Sequence, residues 1–226
     1  MLVVFISLYA FAGSNPAVGW QNLERKIRDG KILKTEAAAA INEINNKLKQ
    51  YLSVSGFESS PFDGWVFPVK GYDKNATGKR GYAPKGYNFF DGNKHGGHPA
   101  YDIFIRDKNF DCLDDKTKRS VEIMSLSSGI VISANTGWKR TSDIRGGNYV
   151  YIYDDVSNYI FYYAHLDKIF VKTGQFLKAG DVIAILGRTG KNAYPHRSPT
   201  HLHLMVLNAN TMKPVDIYYR LMKVKY

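Results

Sequence analysis

The chain has 226 residues, of which 44% are apolar and 14% aromatic, so it can build a hydrophobic core and is not disordered throughout. A single cysteine, Cys112, excludes an internal disulfide and a cysteine-based zinc cluster. The formal net charge of +11 favours anionic partners such as nucleic acid, anionic lipid or acidic cell-wall polymers, without choosing among them. No stretch of about 18 apolar residues runs without breakers, which excludes a protein with several membrane spans.

The first twelve residues, Met1–Ala12, are apolar and predict a signal peptide. A helix of this length spans about 18 Å, shorter than a hydrocarbon core of about 30 Å, so no stable membrane span is expected. Ala10-Phe11-Ala12 has the small-x-small form of a signal-peptidase site. The segment carries no Lys or Arg, and a buried strand and a misplaced start codon are the alternatives. Export would place the protein outside the cytoplasm, in the periplasm, the cell envelope or the medium.

Residues 13–58 predict a helical N-terminal segment. Apolar residues one helical turn apart indicate a helix over Asn22–Asp29, which Gly30 ends. Thr35 is the predicted cap of a second helix, whose apolar residues recur at helical spacing to about Leu52. We expect this pair either to cover a groove as an inhibitory segment or to act as a spacer.

Residues 59–226 predict one mainly β, antiparallel domain. Short runs rich in Val, Ile, Tyr and Phe alternate with turns rich in Gly, Asn and Asp, with no helical pattern between them. The predicted strands are Gly64–Val69, Tyr101–Ile105, Gly129–Ala134, Asn148–Tyr153, Tyr159–His165, Asp181–Leu186 and His201–Leu207. The glycine-rich stretch Gly71–Gly97 predicts a long loop, which in a compact domain is often functional. The charged stretch Asp107–Arg119 predicts a surface loop.

Two histidines, His201 and His203, lie two residues apart in a predicted strand. Side chains at i and i+2 point to the same face of a strand, about 6.5 Å apart, so one imidazole can bind a metal while the other reaches a molecule on it. Leu202 and Leu204 would then face the core. Alone, the pattern also describes two exposed strand histidines.

A second group, His98 and Asp102, places an imidazole and a carboxylate four residues apart. An extended chain would hold these side chains about 13 Å apart. Gly96-Gly97-His98-Pro99 is a poor helix start, and Ile103-Phe104-Ile105 has the composition of a strand. If both residues are metal ligands, the Gly-Gly-His-Pro bend must therefore fold His98 back toward Asp102.

A third histidine, His165, ends the predicted strand Tyr159–His165; alone, it is as consistent with a partly buried structural residue. Together, His98, Asp102 and one of the His201/His203 pair make a set of two imidazoles and one carboxylate, which suits catalytic zinc with an open position for water. No H-E-x-x-H motif is present, so a histidine would have to serve as the base.

These residues resemble the lysostaphin-type (LytM-like) zinc endopeptidases of metallopeptidase family 23, over about residues 62–226. The resemblance rests on the order and spacing of His98–Asp102, Gly129–Val131, Gly147–Ile152, Tyr163–Leu166, Val171–Ile183, Gly187–Gly190 and Pro199–His203. It implies an antiparallel β-roll catalytic domain, the duplicated hybrid motif fold. It also implies hydrolysis of peptide bonds in bacterial peptidoglycan by a metal-activated water.

By the same resemblance, His98, Asp102 and His203 are similar to the zinc ligands. His201 is similar to the general base and His165 to the second catalytic histidine. Two departures, the insert Pro195–Pro199 with its own histidine and the charged insert Asp107–Arg119, affect the expected substrate preference more than the metal site.

Other classes of function remain open at this stage. A non-catalytic family member that binds cell wall or activates other hydrolases is the main alternative. The turns Gly174 and Gly180 are also similar to those of biotinyl and lipoyl carrier domains, but no lysine occupies a matching hairpin tip. We expect peptidoglycan peptides, and anionic cell-wall polymers, as partners rather than nucleic acid. The bond cleaved and the oligomeric state do not follow from the sequence.

Overall fold

The computed structural model describes residues 15–59, 64–78, 81–196 and 198–224. The predicted signal peptide at residues 1–12 lies outside these residues, so it stays a prediction. Within the described part of the chain, no helix is both long and apolar enough to cross a membrane.

Two helices precede the sheet, α1 (Pro16–Arg28) and α2 (Lys34–Val54), in agreement with the predicted helical segment. α1 begins before the predicted start at Asn22, because Asn15 and Pro16 form a helix N-terminus. The side chain of Asn15 accepts a backbone N–H of the first turn at 3.0 Å, and the fixed φ of proline suits that turn. The predicted cap, Thr35, is wrong, because it lies inside α2, which has no side-chain cap.

Eight strands follow in the described residues, and all their pairings are antiparallel. They are β1 (Ala100–Phe104), β2 (Glu122–Met124), β3 (Gly129–Asn135), β4 (Asn148–Asp154), β5 (Tyr159–Ile169), β6 (Phe176–Leu177), β7 (Val182–Leu186) and β8 (His201–Asn208). The sheet order is β1-β8-β5-β4-β3-β6, and β7 pairs with both β2 and β5. A short helix, α3 (Tyr218–Leu221), lies near the C-terminus. The mainly β, antiparallel fold class is confirmed.

The predicted strand Gly64–Val69 is wrong. In its described part, Val69 makes one isolated bridge with Ile123, and Val66 N–H donates to the carbonyl of Leu126, but no ladder forms. Pro68 has no N–H to offer a ladder, which explains the interruption. The sequence also missed β2 and β6, because three and two residues are too few to show alternation.

In their described residues, both predicted loops contain no strand, as expected. The stretch Gly71–Gly97 includes two short 3-10 helices, Lys74–Ala76 and Phe89–Lys94. The stretch Asp107–Arg119 forms neither helix nor strand, but it is not a purely solvated loop. Its residues Asp107 and Asp114 are 5% and 2% exposed, because their carboxylates accept hydrogen bonds inside the loop.

Alternation along the strands gives the sheet two buried faces, each with its own hydrophobic core. Strand residues of the first core include Val150, Ile152, Phe161, Tyr163, Leu202, Leu204 and Val206. The second core joins the helices to the other face through Trp20, Ile27, Ile41, Leu48, Ile130, Ile132, Tyr149, Tyr151 and Met205. The two helices therefore form a layer on one face of the sheet.

Polar contacts also fix α1 along β3. The side chain of Gln21 accepts the N–H of Ala134 at 3.1 Å, and Arg25 donates to the carbonyl of Ala134 at 3.3 Å. The hydroxyl of Ser133 donates to Glu24 at 3.1 Å. These bonds satisfy polar groups that the helix would otherwise bury unpaired.

Candidate metal centre

The pairing of β1 with β8 brings Asp102 beside His203. The two residues are direct antiparallel partners, and Phe104 pairs with His201 in the same ladder. Leu202 and Leu204 are fully buried in the first core, so His201 and His203 point to the opposite face, as predicted. His203 Nδ1 lies 3.1 Å from Asp102 Oδ1, and His201 Nε2 lies 3.6 Å from the same oxygen.

The bend before β1 folds His98 back onto Asp102. His98 Nε2 lies 3.3 Å from Asp102 Oδ2, so the chain reversal required by the sequence pattern is present. Gly97 makes the bend, with φ +69, and a Cβ there would come within 2.7 Å of the carbonyl oxygen of Lys85. The backbone of His98 then pairs with Ala83 in the preceding loop. Only glycine fits this close, left-handed turn without strain.

His165 joins the cluster from β5. Its ring centroid lies 5.0 Å from that of His201 and 5.6 Å from that of His203, and the residue is only 3% exposed. The backbone of His165 has φ 66, at the point where β5 changes register against β4. Hydrogen bonds to Gly146 O at 2.9 Å and from Gly187 N at 3.0 Å hold this conformation. Non-glycine residues in this region are uncommon and concentrate at functional sites.

Backbone carbonyls set the orientation of three of the imidazoles. The acceptors are Gly81 O for His98 at 3.0 Å, Thr189 O for His165 at 2.9 Å and Pro199 O for His201 at 2.7 Å, each to Nδ1. A carbonyl oxygen only accepts, so each Nδ1 carries a hydrogen, and the neutral ring keeps a lone pair on Nε2. Such anchoring is typical of histidines that bind metals or accept protons.

The electrostatics favour an ionised carboxylate among mostly neutral imidazoles. Burial disfavours the charged form of Asp102, but hydrogen bonds with His203 and His98 outweigh it and hold the pKa of the carboxyl well below its usual range. Burial lowers the pKa of His165 well below its usual value and also lowers that of His203. The hydrogen bond with Asp102 raises the pKa of His98. Neutral imidazole and ionised carboxylate are the forms that bind divalent metals, so a metal would displace a proton from His98 when it is protonated.

The five side chains contain two overlapping donor groups. In one, atoms of His98, Asp102 and His203 all lie within 4.8 Å of one another; in the other, so do atoms of His165, His201 and His203. Imidazole nitrogens and a carboxylate oxygen are the ligands that zinc takes in catalytic sites, so the donor set fits this ion. The first group is the predicted ligand set and the second contains the two predicted catalytic histidines. The division of roles between them stays a prediction.

Three buried residues that the sequence analysis missed support the start of β8. The hydroxyl of Thr200 donates to Asp107 Oδ2 at 2.6 Å and accepts from Arg188 Nη1 at 3.0 Å. Arg188 also donates to the carbonyl of Pro195 at 3.0 Å. The network ties the charged insert to the residue that immediately precedes His201. A hydroxyl and an aspartate so far apart in sequence gave no pattern that indicated contact.

A half-buried carboxylate on β1, imidazoles from the preceding bend and from β8, and two further imidazoles in contact form a site in an antiparallel β domain that suits a metal-dependent hydrolase. Residues 111–217 match the model of peptidase family M23. Residues 111–217 therefore resemble a family M23 peptidase domain, and the predicted resemblance is confirmed for this part of the chain. The match includes His165, His201 and His203, whereas His98 and Asp102 precede it.

Curated relatives resemble parts of this chain. The peptidoglycan DD-endopeptidase ShyB of Vibrio cholerae is 47% identical over 70 residues, which cover 31% of this chain and 15% of ShyB. Lysostaphin of Staphylococcus simulans is 35% identical over 74 residues, which cover 33% of this chain and 14% of lysostaphin. The chain therefore spans less than a quarter of the length of these curated relatives.

Among solved structures, a zinc-containing peptidase from Vibrio cholerae is 30% identical, with a TM-score of 0.46. The likeness covers 72% of this chain and 40% of that chain.

Proposed function

We propose that the protein is a zinc-dependent metalloendopeptidase that hydrolyses peptide bonds in bacterial peptidoglycan. The observation that supports this most is the convergence of His98, Asp102 and His203 with His165 and His201 in one cluster. The family M23 domain and the relatives named peptidoglycan DD-endopeptidase and lysostaphin support the substrate class.

In this proposal His98, Asp102 and His203 hold the zinc ion. A zinc ion at such a site supplies Lewis-acid polarisation of the scissile carbonyl and lowers the pKa of a bound water to about 7. Asp102 contributes the negative charge, and the bond from His201 Nδ1 to Pro199 O turns His201 Nε2 toward the same space, 3.6 Å from Asp102 Oδ1.

We assign proton transfer to His201 and His165. Both rings donate from Nδ1 to a backbone carbonyl, so each presents an Nε2 lone pair. His201 is placed to accept the proton of the attacking water, because its Nε2 faces Asp102. A ring that has accepted a proton becomes a donor at Nε2 and can then stabilise the oxyanion or protonate the leaving amine. His165, whose ring lies 5.0 Å from that of His201, takes this second role only after it receives at Nε2 the proton that His201 accepts from the water.

The surroundings proposed for the protein follow from this substrate. Peptidoglycan lies outside the cytoplasm, so we place the protein in an extracytoplasmic compartment, consistent with the predicted signal peptide. The net charge of +11 would concentrate the protein near anionic wall polymers.

The test combines metal analysis with a peptidoglycan digestion assay on three histidine variants. We expect His203→Ala to lose zinc and activity, and His201→Ala to keep zinc but lose turnover by about 10²-fold or more. His196→Ala is the matched control, because His196 stacks on Phe110 outside the cluster and should keep both properties. A wild-type protein that retains zinc but digests no peptidoglycan peptide would contradict the proposed activity. Equal zinc content and equal turnover in the two cluster variants would contradict the assignment of roles.

A further inference from the structure

A cavity of about 100 Å³ adjoins the metal centre on the helix-bearing face of the sheet. Among the residues around it are His98, His165 and His203. Its lining also contains Glu24 and Arg28 of α1, the loop residues Tyr87 and His95, Arg145, and Tyr149, Tyr151 and Tyr162 of the sheet. The cavity therefore lies between the first helix and the catalytic cluster.

Three tyrosine hydroxyls in this lining have no hydrogen-bond partner among the described residues: those of Tyr87, Tyr151 and Tyr162. Tyr151 is 7% exposed, so its hydroxyl is a polar group in a nearly closed space. The hydroxyl of Tyr162 lies against Gly146, where an added Cβ would come within 1.9 Å of it. Burial raises the pKa of all three tyrosines, so the hydroxyls stay protonated and can donate. Hydroxyl groups that line a cavity without a partner in the described part of the protein are free to donate to a ligand that accepts hydrogen bonds.

Arg145 adds a positive charge beside these donors. Its Nη1 donates to the carbonyl of His95 at 2.6 Å, which holds the guanidinium against the preceding loop in the lining of the cavity. Within the described ranges no carboxylate forms an ion pair with Arg145. Its remaining N–H groups thus offer the planar fork that suits a carboxylate.

The one acidic side chain from α1 in the lining does not cancel this charge. Glu24 accepts hydrogen bonds from Tyr149 at 2.8 Å and Ser133 at 3.1 Å, so its oxygens are occupied. Burial raises the pKa of Glu24 to about 7, so it is only partly ionised near neutral pH. Arg28, which donates to the hydroxyl of Tyr149 at 2.9 Å, compensates the charge that remains.

We propose that this cavity is a substrate subsite that binds a carboxylate group of the peptide, with Arg145 as its charge partner and Tyr87 and Tyr162 as hydrogen-bond donors. The proposal rests on the proposed peptidase function. The rings of Tyr162 and His203 have centroids 6.3 Å apart. Since one extended residue spans about 3.3–3.6 Å, the carboxylate belongs to a residue within about two positions of the scissile bond.

The experiment uses three versions of one peptidoglycan peptide with the full-length zinc-loaded protein. One has free carboxylates, one has its acidic side chain converted to the carboxamide, and one has its C-terminus converted to the carboxamide. For wild type we expect kcat/KM to fall about tenfold or more, mainly through KM, with at least one of the amides, and this identifies which carboxylate binds. In Arg145→Gln we expect the preference to disappear. Arg145→Lys, which keeps the charge but not the fork, should recover part of it.

Two further variants separate this role from a structural one. Tyr162→Phe removes only a hydroxyl and should weaken the preference for the carboxylate peptide without unfolding the protein. Arg140→Gln is the matched control, because Arg140 lies in the same loop but packs over the ring of Tyr194, and its preference should equal that of wild type.

The same peptides are also tested for equilibrium binding to the metal-free protein. Tighter binding of the carboxylate peptide than of its amides, lost in Arg145→Gln, supports the subsite even if no peptide is cleaved. Absence of cleavage with zinc contradicts the peptidase function alone. Equal binding and equal cleavage of all three peptides by wild type, or an undiminished preference in Arg145→Gln, overturns the subsite.

Discussion

The helical layer is best tested at Trp20, the side chain at the centre of its contact with the sheet. Trp20 is fully buried, and its ring lies 5.2 Å from that of Tyr151 and 6.2 Å from that of Phe89. Its indole N–H donates to Asn45 at 3.0 Å. If α1 were a detachable inhibitory segment, loosening this contact would raise activity. If α1 is a fixed wall of the domain, the same change would lower stability and give no activation.

We predict that Trp20→Ala lowers the free energy of unfolding by about 3–5 kcal/mol, the usual cost of truncating a buried aromatic residue to alanine. The upper part of this range is expected, because Asn45 also loses a hydrogen-bond partner in a buried position. For a chain of this size each kcal/mol lowers Tm by about 2–4 °C, so the expected shift is roughly 10 °C or more.

Urea unfolding, followed by circular dichroism, measures the change, and peptidoglycan digestion well below Tm measures activity. Val18→Ala on the same helix is the control, because Val18 is 44% exposed and should change stability by less than about 0.5 kcal/mol. A loss below about 1 kcal/mol in Trp20→Ala, or a rise in activity at unchanged stability, would refute the interpretation of α1 as a wall.

Two other substitutions test buried polar groups. Because the folded-state pKa of Glu24 is raised to about 7, above its ordinary 4.5, the folded protein holds a proton that the unfolded chain releases, and stability falls as pH rises between these values. Glu24→Gln should abolish up to roughly 3 kcal/mol of this pH dependence. If the free energy of unfolding, measured with urea, changes equally between pH 5 and pH 8 in wild type and Glu24→Gln, the result would argue against it. Thr200→Val leaves Asp107 and Arg188 without a shared partner, so we expect a stability loss of about 1–3 kcal/mol and lower turnover at normal zinc content. Unchanged turnover would show that the network does not position His201.

The sequence predicted those parts of the fold that repeat with a regular period. Strands of five residues or more show apolar alternation over enough positions to be recognised. Examples are β5, which contains His165, and β8, which begins with His201. The sequence also indicated that His98 must fold back toward Asp102, because an extended chain separates them too far. The strands β2 and β6 carry no such pattern, and their pairing depends on neighbours distant in the chain.

Contacts between distant loops could not be predicted. Thr200 and Asp107 meet because β1 and β8 are neighbours in the sheet, and Arg188 joins them from the chain that follows β7; nothing in their spacing indicates this. The start of α1 was missed for a different reason: Asn15-Pro16 is equally typical of a turn and of a helix N-terminus, and only packing against the sheet decides between them.

The position of the helices has a consequence for specificity. Side-chain alternation in β8 puts the metal-binding cluster on the same face of the sheet as the second core, where α1 and α2 also pack. The helices therefore shape the space beside His165 and His203. About half of this lining, including residues of α1 and of the loop up to Pro99, precedes the region 111–217 that matches the peptidase family, whereas Arg145, Tyr162 and the lining histidines His165 and His203 lie inside it. We therefore expect the hydrolytic chemistry to be shared with the family, and the choice of peptide to depend on lining residues both inside and outside the matched region.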